Sequence, residues 1–323
     1  MPEQDTVPER AIRNGSTATG WQWDDALCGV IPPMISPLDE HGDVDRTAVR
    51  RVVEYILQGG CSGLFVLGGV GQGAWLDSKQ RQAIVQCTVE AAQGRVPVLA
   101  GIMLPSTAPV REAARQAEDA GADALVVGSP YYLPVSAADQ QRHIEAALGT
   151  TGLPVVLYNI PQCTHTPLAF STVQALASES RVLGIKDSWG DLPYFQRLLT
   201  LKQGRPDFRV LQGSEHAASA SMLLGADGLI PGLANVAPKV MVDLVQAARR
   251  GDVTTCKRLH LDVVRLADVY ASSGIAGLYR ACAILGLASG IPAEPWQPVG
   301  DQDTADIKRV LHQYGLLPAG ARG

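Results

Sequence analysis

One lysine stands at the end of an apolar segment, where its amine could act as a nucleophile. Lys186 is one of six lysines in 323 residues, and it follows Val182-Leu183-Gly184-Ile185, a run that predicts a short buried strand. An ammonium group at the mouth of such a strand is poorly solvated, which lowers the pKa of the amine. A neutral lysine amine can form a Schiff base with a carbonyl substrate. A lysine that extends from the strand end into solvent is the alternative, and the segment alone leaves both interpretations open.

Three further segments follow apolar runs and contain groups that could bind or protonate a substrate. The glycine-rich residues 68–73 could present backbone N–H groups to a carboxylate or a phosphate. Tyr158 ends another run and could transfer a proton, although a strand-end tyrosine with a satisfied hydroxyl group is the simpler interpretation of that residue alone. Residues 230–235 follow the last run. If these runs are neighbouring barrel strands, their carboxyl ends converge and the four segments form one site.

Eight apolar runs alternate with amphipathic helical segments, which predicts an α/β fold with parallel strands. The runs are apolar throughout instead of alternating, as in strands that are buried on both faces. We therefore expect a (β/α)8 TIM barrel over residues 26–250. A doubly wound sheet is the alternative, but no GxGxxG motif follows the first run. The eight runs are residues 28–31, 63–67, 96–100, 124–127, 155–158, 182–185, 208–211 and 228–230.

The two ends of the chain differ from the alternating region. Residues 1–25 are polar, and we expect them to form a flexible N-terminal leader. Residues 251–323 are predicted to be a C-terminal helical region with three helices and a proline-rich link before the last of them. These helices have an apolar face, so we expect them to pack on the barrel or on a neighbouring subunit.

Composition excludes several classes of partner. The formal charge is -5 and the arginines are scattered, so no basic patch favours nucleic acid. No apolar stretch reaches membrane-spanning length, and residues 1–25 lack the apolar core of a signal peptide. The six cysteines form no CxxC pair, which favours reduced thiols in a cytoplasm over a disulfide framework or a zinc site. We expect a cytoplasmic enzyme with no metal and no other cofactor.

Five motifs occur in order along the chain, and in combination they resemble a known family. They are the glycine loop at 68–73, Ser129-Pro130-Tyr131-Tyr132, Tyr158-Asn159-Ile160-Pro161, Gly184-Ile185-Lys186-Asp187, and residues 225–235. Their types and spacing resemble those of the dihydrodipicolinate synthase/N-acetylneuraminate lyase family of Schiff-base-forming aldolases and lyases. The resemblance extends from about Gly29 to Leu317.

That resemblance implies a barrel, a 2-oxo acid such as pyruvate bound as a Schiff base, and a second substrate that is an aldehyde. It implies catalytic roles for Lys186 as the imine-forming lysine, for Tyr158 as the general acid and base, and for Tyr132, which would reach across a subunit interface. It further implies a homodimer or homotetramer and no metal. The substrate-binding positions that it implies are Gly69, Val70, Cys163, Gly213 and Ile230.

The chain departs from the family pattern at the glycine loop and after Tyr158. Gly69 and Val70 stand where the family commonly has two hydroxyl-bearing residues, one in the proton relay and one on the carboxylate. Cys163 stands where dihydrodipicolinate synthases have an arginine that binds the aldehyde's carboxylate, and a thiol cannot make that bidentate contact. Trp75 replaces a small residue, which indicates either a more apolar pocket or a packed interface. A role in the lysine pathway is therefore not expected.

Three functions remain open at this stage. The first is a pyruvate-dependent aldolase that makes or breaks a C–C bond with an aldehyde. The second is a dehydratase of 2-keto-3-deoxy sugar acids, which uses the same imine on Lys186 but eliminates water. The third is a non-catalytic relative that binds 2-oxo acids and has lost turnover together with its hydroxyl relay.

Overall fold

The computed structural model describes residues 20–271 and 273–317, and these residues form alternating strands and helices. The strands are β1 (Leu64–Val66), β2 (Val98–Gly101), β3 (Ala124–Gly128), β4 (Val155–Asn159), β5 (Val182–Asp187), β6 (Arg209–Gln212) and β7 (Gly228–Leu229). The helices are α1 (Trp23–Ala26), α2 (Arg46–Gln58), α3 (Ser78–Ala92), α4 (Thr107–Asp119), α5 (Ala137–Leu148), α6 (Pro161–Thr164), α7 (Phe170–Leu176), α8 (Leu192–Thr200), α9 (Ala218–Leu224), α10 (Pro238–Arg249), α11 (Val253–Leu266), α12 (Gly274–Ile284) and α13 (Asp301–Gln313).

The seven strands form one parallel sheet in which each strand pairs with the next along the chain. Nearly every strand residue is buried, because one face of the sheet contacts the interior and the other contacts the surrounding helices. The interior cluster consists of residues such as Phe65, Leu99, Val156, Leu211 and Ile230. A second, larger cluster fills the layer between the strands and the helices. The α/β class predicted from the sequence is confirmed.

A segment before α2 contacts both edges of the sheet. Val30 forms a parallel bridge with Leu229 of β7, and Pro33 forms one with Phe65 of β1. The sequence predicted a strand at 28–31, but this segment makes isolated bridges because Pro32 and Pro33 have no N–H group to donate to a regular ladder. The segment nevertheless links the first strand to the last.

The C-terminal helices pack against the same core as the sheet. The apolar faces of α11, α12 and α13 bury residues such as Leu266, Leu278 and Leu311, and these residues belong to the cluster between the strands and the helices. Within the described ranges, no helix is long and apolar enough to cross a membrane. Of the predicted leader, residues 1–19 lie outside the described residues, and α1 begins at Trp23, which is buried.

Candidate active site

A lysine and a tyrosine from neighbouring strands meet inside the sheet. Tyr158 on β4 and Lys186 on β5 are partners in the parallel register. Lys186 Nζ donates a hydrogen bond to Tyr158 Oη at 3.1 Å. Tyr158 is 4% exposed and Lys186 is 3% exposed, and the rings of Phe65 and Tyr158 are in edge-to-face contact. The convergence predicted for these two residues is therefore present in the structure.

Burial changes the proton affinity of both groups. Desolvation lowers the pKa of Lys186 to about 7, although the nearby Glu215 carboxylate acts in the opposite direction. Desolvation also raises the pKa of the Tyr158 phenol, while hydrogen bonding to Ser188 opposes that rise. Near neutral pH a large fraction of Lys186 is therefore a neutral amine, next to a phenol that retains its proton.

The next residues of the two strands form a second buried pair that faces the helices. Asn159 Nδ2 donates to Asp187 Oδ1 at 2.7 Å, and the backbone N–H of Leu168 donates to Asn159 Oδ1. Asp187 is fully buried and its Oδ2 atom has no hydrogen-bond partner, so desolvation raises the pKa of this carboxyl to about 6. Successive strand residues point to opposite faces, which separates this pair from Tyr158 and Lys186.

The glycine loop that follows β1 is held by contacts from distant parts of the chain. Ser36 Oγ donates to the Gly71 carbonyl at 2.6 Å, and the Tyr279 hydroxyl donates to the Val70 carbonyl at 3.1 Å. A Cβ atom on Gly73 would lie 2.2 Å from the Leu67 carbonyl oxygen, so the loop can fold this tightly only with glycine there. At Gly69 an added Cβ would meet nothing within 4 Å. The loop is therefore fixed, with open space at Gly69.

A cavity of about 350 Å³ adjoins the tyrosine–lysine pair. Tyr158, Gly69 and Cys163 contribute to its wall, together with residues of the glycine loop and of α6. Trp296, from the proline-rich link before α13, also contributes. The volume is in the range of small-molecule sites. The cavity can therefore hold a small acid and a second reactant beside Tyr158.

The remaining predicted site residues lie around the cavity in different ways. Gly213 faces the lysine, because an added Cβ would lie 2.7 Å from Lys186 Cε. Ile230 is fully buried in the interior cluster that contains Tyr158. Val70 is half-buried and packs against the outer core instead. Tyr132 is 85% exposed and lines a separate surface cleft, so the described residues of a single chain do not bring it to the lysine.

Two residues near the lysine were not singled out from the sequence. Glu215 follows β6, and its carboxylate accepts hydrogen bonds from the Leu233 N–H at 3.1 Å and from the Tyr270 hydroxyl at 3.4 Å. Burial and this carboxylate raise the pKa of the Tyr270 phenol well above its ordinary value. Glu215 comes four residues after the end of a predicted strand, and that position could have marked it as a site residue. Tyr270 lies in the C-terminal region, and no sequence pattern marked it as a site residue.

Within residues 20–271 and 273–317, no cluster of three or more His, Cys, Asp or Glu side chains could hold a metal ion. The chemistry available at the site is that of an amine of lowered pKa, a phenol and backbone N–H groups. An amine and a phenol in hydrogen-bond contact can form and hydrolyse an imine and can move a proton at the carbon next to it.

Comparison with known proteins places this geometry in a family context. The family model described as "Dihydrodipicolinate synthetase family" matches residues 26–314. The 4-hydroxy-tetrahydrodipicolinate synthase of Pelobacter propionicus is 30% identical over 290 residues, which are 90% of this chain and 99% of that protein. The probable 2-dehydro-3-deoxy-D-pentonate aldolase YjhH of Escherichia coli is 35% identical over 245 residues, or 75% of this chain and 81% of that protein.

Solved structures agree with the sequence comparison. The crystal structure of YagE from E. coli K12, a prophage protein of the dihydrodipicolinic acid synthase family in complex with pyruvate, superposes with a TM-score of 0.85 at 32% identity. The alignment covers 90% of this chain and 99% of that one. A dihydrodipicolinate synthase of Thermotoga maritima superposes equally well, with a TM-score of 0.85 at 28% identity over 90% of this chain and 99% of that one.

Proposed function

Because the chain belongs to the dihydrodipicolinate synthetase family, we propose that it is a Schiff-base-forming aldolase that joins pyruvate, or a related 2-oxo acid, to an aldehyde or cleaves the product. The observation that carries the proposal is the hydrogen bond of 3.1 Å between Lys186 Nζ and Tyr158 Oη beside the cavity. It combines the nucleophile with a proton donor and acceptor.

The reaction balances with these two side chains. The neutral amine of Lys186 attacks the C2 carbonyl of pyruvate, and the Tyr158 phenol gives its proton to the departing hydroxyl, so that loss of water leaves a protonated imine beside a phenolate. Loss of a proton from C3 gives an enamine, whose carbon attacks the aldehyde and forms the C–C bond. The Tyr158 phenolate removes the C3 proton and then donates it to the aldehyde oxygen, and it regains a proton from the water that hydrolyses the imine. Water then hydrolyses the imine, which releases a 4-hydroxy-2-oxo acid and restores the amine.

The pyruvate carboxylate is proposed to lie against the backbone N–H groups of Gly69 and Val70. Gly69 lines the cavity and leaves open space where a side chain would project, which supports this position. Oriented backbone N–H groups can hold an anion without a cationic side chain. Gly213 is proposed to leave room for the imine, since a Cβ atom there would collide with Lys186 Cε.

We propose that the aldehyde differs from that of the lysine pathway. Cys163 lines the cavity at the position where the resemblance predicts an arginine for a second carboxylate. A thiol offers no bidentate, charged contact to a carboxylate. The dehydratase alternative gains no support from the relatives described above, which are named as synthases and aldolases.

The proposal includes an architecture and an assembly. Residues 26–250 are proposed to form an eight-unit barrel in which the bridging segment at Val30 and Pro33 stands as the first strand, with residues 251–323 as a helical extension. Tyr132 and its exposed neighbour Leu133 are proposed to lie in a homodimer or homotetramer interface, where Tyr132 reaches the partner's site. A cytoplasmic location is in keeping with six free cysteines.

Borohydride reduction in the presence of pyruvate tests the proposed function. The expected result is an added pyruvate-derived mass on the peptide that contains Lys186, absent from Lys186→Ala and Lys186→Arg. Lys239→Ala is the matched control, because Lys239 forms an exposed ion pair with Asp243 and its loss should not affect trapping. Trapping at another lysine, or none with any 2-oxo acid, would refute the mechanism.

A further inference from the structure

Two tryptophans are in edge-to-face contact in the wall of the cavity. Trp75 and Trp296 have ring centroids 4.7 Å apart and an interplanar angle of 76°. Trp75 is 46% exposed although it adjoins the site, so a large part of its ring is available for contact. Edge-to-face tryptophans present an apolar corner, in which a flat ring can stack on one indole and meet the edge of the other.

The corner is held in position from both sides. Trp75 comes two residues after the glycine loop, whereas Trp296 comes from the link between α12 and α13. The side chain of Gln72 pairs with the backbone of Ala293, three residues before Trp296. The two tryptophans are therefore held in the cavity wall by the contact between their segments.

The rest of the cavity wall offers few groups to a polar substrate. None of the described residues that line it is Asp, Glu, Lys or Arg. Gln72 is committed to Ala293, and Gln162 Nε2 donates to the carbonyls of Ser188 and Trp189. The single hydroxyl proton of Thr164 is shared between the carbonyls of Ile160 and Thr166. Besides Tyr158, the polar side chains left in the wall are Tyr131, Cys163 and His165. A substrate with several hydroxyl groups would therefore replace only some of its hydrogen bonds to water here, which costs free energy.

We propose that the aldehyde partner carries an aromatic ring, which the cavity binds against the corner formed by Trp75 and Trp296. The inference rests on the proposed function, because the ring must be attached to the carbonyl that the Lys186 enamine attacks. Met103, Ile160 and Ile275 complete an apolar wall around the same space. Trp75 and Trp296 then determine specificity and take no part in the chemistry of the imine.

Steady-state kinetics with pyruvate and two aldehydes test the proposal. Benzaldehyde is the aromatic probe and glyceraldehyde the hydroxylated one, and borohydride trapping of pyruvate is measured in parallel. The wild-type protein is expected to have the higher kcat/KM for benzaldehyde. Trp75→Ala is expected to lower that value about tenfold, as for the loss of a well-formed aromatic contact. Trp75→Phe is expected to retain most of it, and pyruvate trapping should be unchanged in both variants.

The outcomes separate this inference from the proposed function. Normal trapping with a preference for glyceraldehyde, or with equal effects of Trp75→Ala on both aldehydes, overturns the aromatic assignment and leaves the aldolase proposal intact. Failure of the wild-type protein to trap any 2-oxo acid overturns both. Circular dichroism of Trp75→Ala checks that a loss of activity is not a loss of fold, and Trp296→Phe provides a second variant on the opposite side of the corner.

Discussion

The side-chain amide of Gln72 pairs with both backbone groups of Ala293. The Ala293 N–H donates to Gln72 Oε1 at 2.8 Å, and Gln72 Nε2 donates to the Ala293 carbonyl at 3.3 Å. The glycine loop is thereby joined to a segment more than 200 residues away, and Gln72 is buried in the contact. A side-chain amide fits this contact, because one of its atoms accepts and another donates.

Gln72→Glu should therefore weaken the junction. A carboxylate still accepts from the Ala293 N–H, but it leaves the Ala293 carbonyl without a donor, and a buried unsatisfied group costs about 1–3 kcal/mol. Urea unfolding is expected to report a loss of that size, whereas the exposed Gln203→Glu should change stability little. Equal stability of the two variants would contradict a structural role for the pair.

The rate of imine formation should depend on pH with a midpoint set by Lys186. Its pKa is lowered to about 7, so the amine is protonated and unreactive at pH 5 and mostly neutral at pH 8. The initial rate of cyanoborohydride trapping with pyruvate is expected to rise through about pH 7 and then level off. A rise centred near the ordinary lysine value of 10.5 would mean that the amine is not desolvated.

Glu215→Gln should shift that midpoint to lower pH. The Glu215 carboxylate favours the protonated form of Lys186 and so raises its pKa, and the neutral amide removes this effect. Tyr270→Phe is a useful companion variant, because it deletes the hydroxyl that donates to Glu215 and leaves the carboxylate charge in place. Trapping rates across pH for the three proteins give the shift, and an upward movement in Glu215→Gln would be opposite to the expectation.

Asp187→Asn should change how stability depends on pH. Burial raises the pKa of Asp187 from 3.8 to about 6, so the folded protein binds this proton more tightly than the unfolded chain does. The resulting stability is present at low pH and is lost as pH rises from about 4 to about 6, by at most about 3 kcal/mol. Between pH 4.5 and pH 7, the free energy of unfolding of the variant should rise relative to that of the wild type. A constant difference would exclude a buried, protonated carboxyl.

Gly69→Ser should strengthen pyruvate binding, and Val70→Thr should not. The Gly69 position opens into the cavity and has room for a side chain, so a hydroxyl there can donate to the carboxylate for at most about 1.5–3 kcal/mol. Val70 packs against the outer core, where a hydroxyl would meet apolar neighbours. The dependence of imine formation on pyruvate concentration, measured for each variant, gives the two binding constants. Tighter pyruvate binding in Val70→Thr alone would mean that the carboxylate lies beside Val70 and not beside Gly69.

The central pair of the site could be predicted from the sequence alone. Tyr158 and Lys186 each end an apolar run, and consecutive runs that form neighbouring parallel strands must bring their carboxyl ends together. The α/β class followed from the alternation of apolar runs with amphipathic helices, and burial on both faces followed from the lack of polar residues within the runs. These are local patterns, and the pairing of consecutive parallel strands brings the residues at their ends close together in space.

The tertiary structure alone decided the rest of the site. The pairing of Gln72 with Ala293, the contact of Trp75 with Trp296 and the contact of Tyr270 with Glu215 each join segments far apart in the chain. Hydrophobic periodicity carries no information about such contacts, because they depend on how the C-terminal region packs against the segments that follow the strands. The lowered pKa of Lys186 likewise became definite only with its burial, since desolvation is a property of the packed interior and not of the apolar run that precedes the lysine.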